Sequence, residues 1–166
     1  TAVQVMCIDA VIRAADVLKR EADAARYRRL REKTAAAFLK RFYDPAGKTF
    51  TNSGSCQCAH TIALAAGLVP EADKEAVLAA VITDLAGRGW QQTPGDVGHA
   101  FFIRALAEAG RSDVLHRVYS RRTAGSYGGI LEKGLTAMPE TWDLSLIHIS
   151  EPTRLLSISS AVLCLE

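Results

Sequence analysis

No run of roughly 18 uninterrupted apolar residues occurs in the 166-residue chain, so nothing in it reads as a membrane-spanning helix. The opening residues also lack the basic region and small-residue cleavage site of a secretory signal. Charge of one sign is missing too. Twenty Lys and Arg stand against eighteen Asp and Glu, and a net charge of +2 is too small a surplus for a nucleic-acid surface. The basic residues from Arg26 to Arg31 share a helical pattern with Tyr27 and Leu30, which reads as a solvated helix face. No fixed-period repeat is visible, and this disfavours a regular solenoid.

Cysteine offers little as well. Cys7, Cys56 and Cys58 precede residue 144, an odd set without the spacing of a disulfide framework or the four ligands of a structural zinc site. They are expected to be buried free thiols. His60 lies one helical turn from Cys56, so a weak metal site is conceivable, although a histidine among apolar helix residues is more often a hydrogen-bonded structural group.

What is present is the composition of a globular protein, 49% hydrophobic and 23% charged, in a length that suits one domain. Helical periodicity dominates. Val5, Ile8, Ile12 and Ala15 recur at helical spacing, as do Tyr27, Leu30, Ala37 and Phe38. Residues 44–54 are rich in turn formers and could make at most a short hairpin. A third helix is expected from about Cys56 to Ala66, stopped by Gly67. The fourth enters at Pro70, buries Val77, Leu78, Val81, Ile82 and Leu85, and ends near Gly87 or Gly89. The fifth is capped by Asp96 or a neighbour, carries Phe102, Leu106 and Ala109 on its apolar stripe, and closes at Gly110. Ser112 should cap a sixth helix with Val114, Leu115 and Val118 inside. From Gly125 to Gly134 the density of glycine suggests a loop or short strand. Short turns between successive helices imply antiparallel hairpins, and therefore an all-α fold. Thr1 falls inside a helical pattern, as if the chain began within a longer polypeptide.

Residues 144–154 resemble the conceptual translation of a transposase-based sequencing adapter. On that reading residues 144–166 form a non-native tail and residues 1–143 carry the fold. A genuine amphipathic terminal segment is the alternative.

The segment with the most chemistry is Gly134 to Asp143. It places Glu140 two residues before Trp142, with Pro139 stiffening the backbone directly ahead of the carboxylate. A glycosidase needs such neighbours, a carboxylate to act on water or the anomeric carbon and aromatic faces for the apolar side of a sugar ring. A surface glutamate beside a core tryptophan would look the same.

Gly95-Asp96-Val97-Gly98-His99, the run Arg104 to Val114, Tyr127-Gly128, and Gly134-x-Thr136-x-x-x-Glu140-x-Trp142-Asp143 follow one another in a recognisable order. In that order and spacing they resemble the later part of the catalytic domain of bacterial α-L-rhamnosidases. The stretch Gln57 to Pro70 is similar as well. The sequence departs from the family pattern at Gly129, Ala137 and Pro139.

The resemblance implies an (α/α)6 toroid of which about half the helices are readable here, with the active site where loops from the inner helices converge. It implies that Glu140 is the general base of an inverting hydrolysis, and that the general acid lies on a loop before the part represented. Such enzymes hold two carboxyl groups about 6.5–9.5 Å apart around the attacking water, without a metal or other cofactor. Trp142 and Tyr127 are the expected sugar-facing walls and His99 the expected hydroxyl contact; each could instead be structural. Trp90 and Gln57 read as structural. The expected substrate is a rhamnose-containing glycoside, with no nucleic-acid or membrane partner. Another α/α-toroid glycosidase, or a non-catalytic helical scaffold, would share the fold. Residues 1–143 alone are expected to be aggregation-prone or loosely packed, and inactive.

Overall fold

The computed structural model describes residues 1–50, 56–123 and 126–134. Seven helices appear among them: α1 (Ala2–Val17), α2 (Glu21–Phe42), α3 (Cys56–Ala65), α4 (Lys74–Gly87), α5 (Asp96–Glu108), α6 (Ser112–Tyr119) and α7 (Tyr127–Glu132). Strands β1 (Tyr43–Asp44) and β2 (Thr49–Phe50) pair antiparallel with Tyr43 opposite Phe50, so the turn-rich segment does form a short hairpin. A single 3-10 turn over Glu71–Asp73 leads into α4, with Pro70 as its cap.

The α1 stripe is as the periodicity requires, with Val5, Ile8, Ile12 and Ala15 all buried. The α2 stripe is weaker than expected. Leu30 and Ala37 are exposed, and Ala24 is the helix's one buried residue. Arg28 and Arg31 reach across to Asp16 and Asp9 of α1, which makes the basic run a paired, solvated face.

Three apolar clusters share the work of burial. Ala2 and Val5 of α1 meet Ala66 and Leu68 after α3, Phe50 packs with Ala63, Val69 and Val77, and Val81, Leu85, Phe102, Leu106, Val114 and Val118 join α4, α5 and α6. Ala109, assigned to the α5 stripe, is instead exposed at the helix end. Cys7 is likewise exposed, against the expectation of a buried thiol, because it lies on the outer face of α1 between the buried Val5 and Ile8. Gly67 and Gly110 adopt φ of +62° and +69°, the left-handed conformation that ends a helix at little cost to glycine.

Gly95, the neighbour of Asp96, is the N-cap of α5, whereas Arg111 and not Ser112 occupies the N-cap position of α6, whose first helical residue is Ser112 itself. The larger correction is α7. A helix, not a loop or strand, spans Tyr127–Glu132 despite two internal glycines. Ser126, fully buried, accepts the Gly129 N–H at 3.2 Å and can donate to the carbonyl of Arg121 or Thr123, so its one hydroxyl anchors the helix start. Gly128 is required for a different reason. A Cβ there would lie 2.1 Å from the Arg121 carbonyl oxygen, so α7 approaches the preceding loop as closely as bare backbone allows.

Candidate active site

The starts of α3, α5 and α7 are tied together. Gln57 in the first turn of α3 is completely buried; its amide nitrogen donates to Asp84 Oδ2 at 2.7 Å, and its oxygen accepts the Thr93 N–H at 3.0 Å. The loop that feeds α5 is thereby clamped to α3 and α4. Gly98 completes the seam, since a Cβ at that position would meet Cys58 Sγ at 2.8 Å. The two helices therefore pack at glycine distance, and His99 is delivered on the next residue.

His99 and Tyr127 meet. Nε2 of His99 lies 3.3 Å from the Tyr127 hydroxyl, within hydrogen-bond distance, joining α5 to α7 across 28 residues of sequence. Tyr119 carries no signal in the sequence, yet its ring lies 4.7 Å from that of Tyr127 and edge-on to His99 at 5.8 Å. The three rings form a closed triangle. Burial first, and the neighbouring Tyr127 second, push the Tyr119 phenol well above its ordinary range, so it stays protonated. Tyr119 and Tyr127 also line a groove of about 560 Å3, crossed by the Arg122–Glu132 ion pair at 2.7 Å. Leu131 of α7 stands exposed on the same groove. Aromatic faces, an apolar rim and charged hydrogen-bonding groups suit a polyhydroxylated ring with one apolar side.

Of the residues predicted from the sequence, His99 and Tyr127 are thus brought together, whereas Glu140 and Trp142 lie outside the described residues. Residues 144–166, read as an adapter-derived tail, also lie outside them. A sequence signal for α7 does exist. Ser126 precedes Tyr127, Ile130 and Leu131, which stand at i, i+3 and i+4 like a capped helix turn.

His60 is not poised as a ligand. Its ring nitrogens sit 2.8 Å from the Cys56 carbonyl and 3.1 Å from Thr49 Oγ1, and burial lowers its pKa, so it is a neutral bridge from α3 to β2. Burial raises the pKa of the half-buried Cys56 and Cys58 thiols, which lowers their thiolate fraction. No group of three or more metal-ligating side chains occurs among the described residues, and none of their helices is long and apolar enough to cross a membrane. Trp90 is half-buried against the α4–α5–α6 core, as a structural reading requires, with the Arg117 guanidinium 3.9 Å from its ring centroid.

The bacterial α-L-rhamnosidase six-hairpin glycosidase domain family matches residues 1–159, a span that includes part of the segment beyond residue 143. An α-L-rhamnosidase of Streptomyces avermitilis is 31% identical over 121 residues, 73% of this chain and 12% of that protein. Solved structures agree. The α-L-rhamnosidase from Dictyoglumus thermophilum superposes with a TM-score of 0.77 at 27% identity, over 83% of this chain and 16% of that one. The Streptomyces avermitilis α-L-rhamnosidase complexed with L-rhamnose gives 0.76 at 28%, over 86% and 13%. An enzyme of the same description from Aspergillus terreus, at 18% identity, shares the fold with a TM-score of 0.79 over 87% of this chain and 17% of that one. The chain therefore spans less than a fifth of the length of each of these relatives. Its antiparallel pairs α1–α2, α3–α4 and α5–α6 are three hairpins among the described residues, half of the six that name the domain, so the fold is an incomplete (α/α)6 toroid. The chain belongs to the bacterial α-L-rhamnosidase six-hairpin glycosidase family.

Proposed function

We propose that this chain contributes the general-base side of an inverting α-L-rhamnosidase site, acting on terminal α-L-rhamnose of a glycoside. The observation that carries the reading is the meeting of His99 and Tyr127. Chosen from the sequence as sugar contacts, they come from two helices to one place beside an open, aromatic-walled groove. Family membership and the L-rhamnose-bound relative supply the sugar.

In this reading Glu140 is ionised and removes a proton from water as the oxocarbenium-like transition state forms. A second carboxyl group in the whole protein protonates the departing oxygen. Trp142 and Tyr127 flank the ring, His99 contacts a hydroxyl, and no metal or other cofactor takes part.

The test is hydrolysis of an aryl α-L-rhamnoside by the full-length protein, followed by proton NMR of the first product. Inversion requires β-L-rhamnose to appear before mutarotation. Glu140→Gln should lower turnover by about 10²–10⁴ with folding unchanged. Release of the α-anomer first would exclude the single-displacement mechanism, and near-normal turnover of the Gln variant would remove Glu140 as base.

A further inference from the structure

We infer that Tyr119 is a positioning residue that holds Tyr127 and His99 in register for the sugar, an inference that rests on the rhamnosidase reading of that site. Tyr119 ends α6, and its ring packs against the α4–α5–α6 cluster of Val81, Leu85, Phe102, Leu106, Val114 and Val118. The same ring touches both His99 and Tyr127. Tyr127 stands at the start of a six-residue helix, and a helix that short is marginal without tertiary support. The ring of Tyr119 supplies that support on the side that matters. It limits rotation of the Tyr127 phenol, and so fixes where its hydroxyl meets His99.

The hydroxyl of Tyr119 does not share this work. It is buried, and among the described residues it meets no hydrogen-bond partner. A buried hydroxyl without a partner is unfavourable, so its presence is tolerated for the sake of the ring that carries it. The division of labour between ring and hydroxyl is what the experiment reads.

In the full-length enzyme, Tyr119→Phe keeps the ring and should retain kcat/KM within about threefold. Tyr119→Leu and Tyr119→Met fill the core without a planar face and should each lower kcat/KM about tenfold, mainly through KM for the rhamnoside. Thermal melts establish that each variant is folded, and the methionine variant serves if leucine does not fold. Loss of the Tyr119 ring should also move the His99 ring-proton resonance by removing a ring-current contribution, which a general loss of stability does not do. A double substitution with Tyr127→Leu should cost less than the sum of its parts, since both changes break one arrangement. If folded Leu and Met variants hydrolyse normally while Tyr127→Leu is impaired, Tyr119 does not position the pair and the inference falls with the site intact. If Tyr127→Leu and His99→Ala are themselves unimpaired, those residues are not sugar contacts, and the inference falls with that reading. A defect in Tyr119→Phe equal to that of Leu would also overturn it, because the hydroxyl would then be the active part.

Discussion

Gln57 and Tyr119 are both polar side chains taken out of water, and the structure treats them oppositely. Gln57 has partners on both ends of its amide, including the Asp84 carboxylate, which is also held by Arg88 at 3.0 Å. Hydrogen bonds to charged groups contribute about 1.5–3 kcal/mol each, and a buried N–H left unpaired costs a further 1–3 kcal/mol or so. Gln57→Ala should therefore destabilise the domain by at least about 2 kcal/mol in denaturant unfolding. An effect below about 0.5 kcal/mol would mean that the loop from Gln91 to Thr93 is held by something else. The Tyr119 hydroxyl has no such return. Removing it in Tyr119→Phe should leave stability unchanged or raise it by up to about 1 kcal/mol, and a clear loss in the same unfolding measurement would show that the hydroxyl is satisfied after all.

Glycine divides in the same way among the helices. Gly87 closes α4 with nothing within 4 Å of the place an added methyl would take, whereas the corresponding position at Gly128 in α7 falls 2.1 Å from a backbone oxygen. Gly87→Ala should gain about 0.5–1 kcal/mol by reducing the freedom of the unfolded chain. Gly128→Ala should dislodge α7 and with it the Tyr127–His99 contact, seen as a substantial fall in melting temperature and weaker rhamnoside binding. Equal effects of the two substitutions would contradict the close approach. This contrast also explains what can be read from the sequence. The stripes of α1, α4 and α6 are legible because burial there follows a 3.6-residue period, and Gly67 and Gly110 because helix ends need a left-handed residue. The α7 segment is obscured despite its Ser126 cap signal, because propensity counts each glycine as a local cost, while Gly128 is there for a non-local contact. Tyr119 is hidden for a related reason. It follows Val118 at the end of an ordinary apolar stripe, and only the fold brings it against residues from α5 and α7. Glu140 and Trp142, which lie outside the described residues, enter the proposed site chiefly through the resemblance.

At the scale of the whole molecule, a helix in a ring of hairpins has neighbours on both sides. Here α1 packs its Val5–Ile8–Ile12–Ala15 face inward, yet Val3 and Val11 are about two-fifths exposed, and Val17 and Leu18 are 81% and 68% exposed at its end. A groove beside them is lined by Val11, Ala14, Ala15, Leu18 and Tyr27 together with the charged Arg20 and Asp23, so Val11 and Leu18 share one largely apolar surface with a polar edge. Contiguous apolar patches beyond a few hundred Å2 are uncommon on soluble monomers and promote association. Residues 1–143 expressed alone should therefore self-associate at micromolar concentration, give a light-scattering mass above that of a monomer, and bind a hydrophobic dye. Replacing Val17 and Leu18 with Lys should reduce both signals, since the change places charge on the patch without touching the buried stripe. The three hairpins cohere through the α3–α5 seam and three separate clusters, so the association should be of folded units, with helical circular dichroism retained. A monodisperse monomer that binds no dye would show that this face of α1 is at ease in water, and that the ring's remaining hairpins are not needed to cover it.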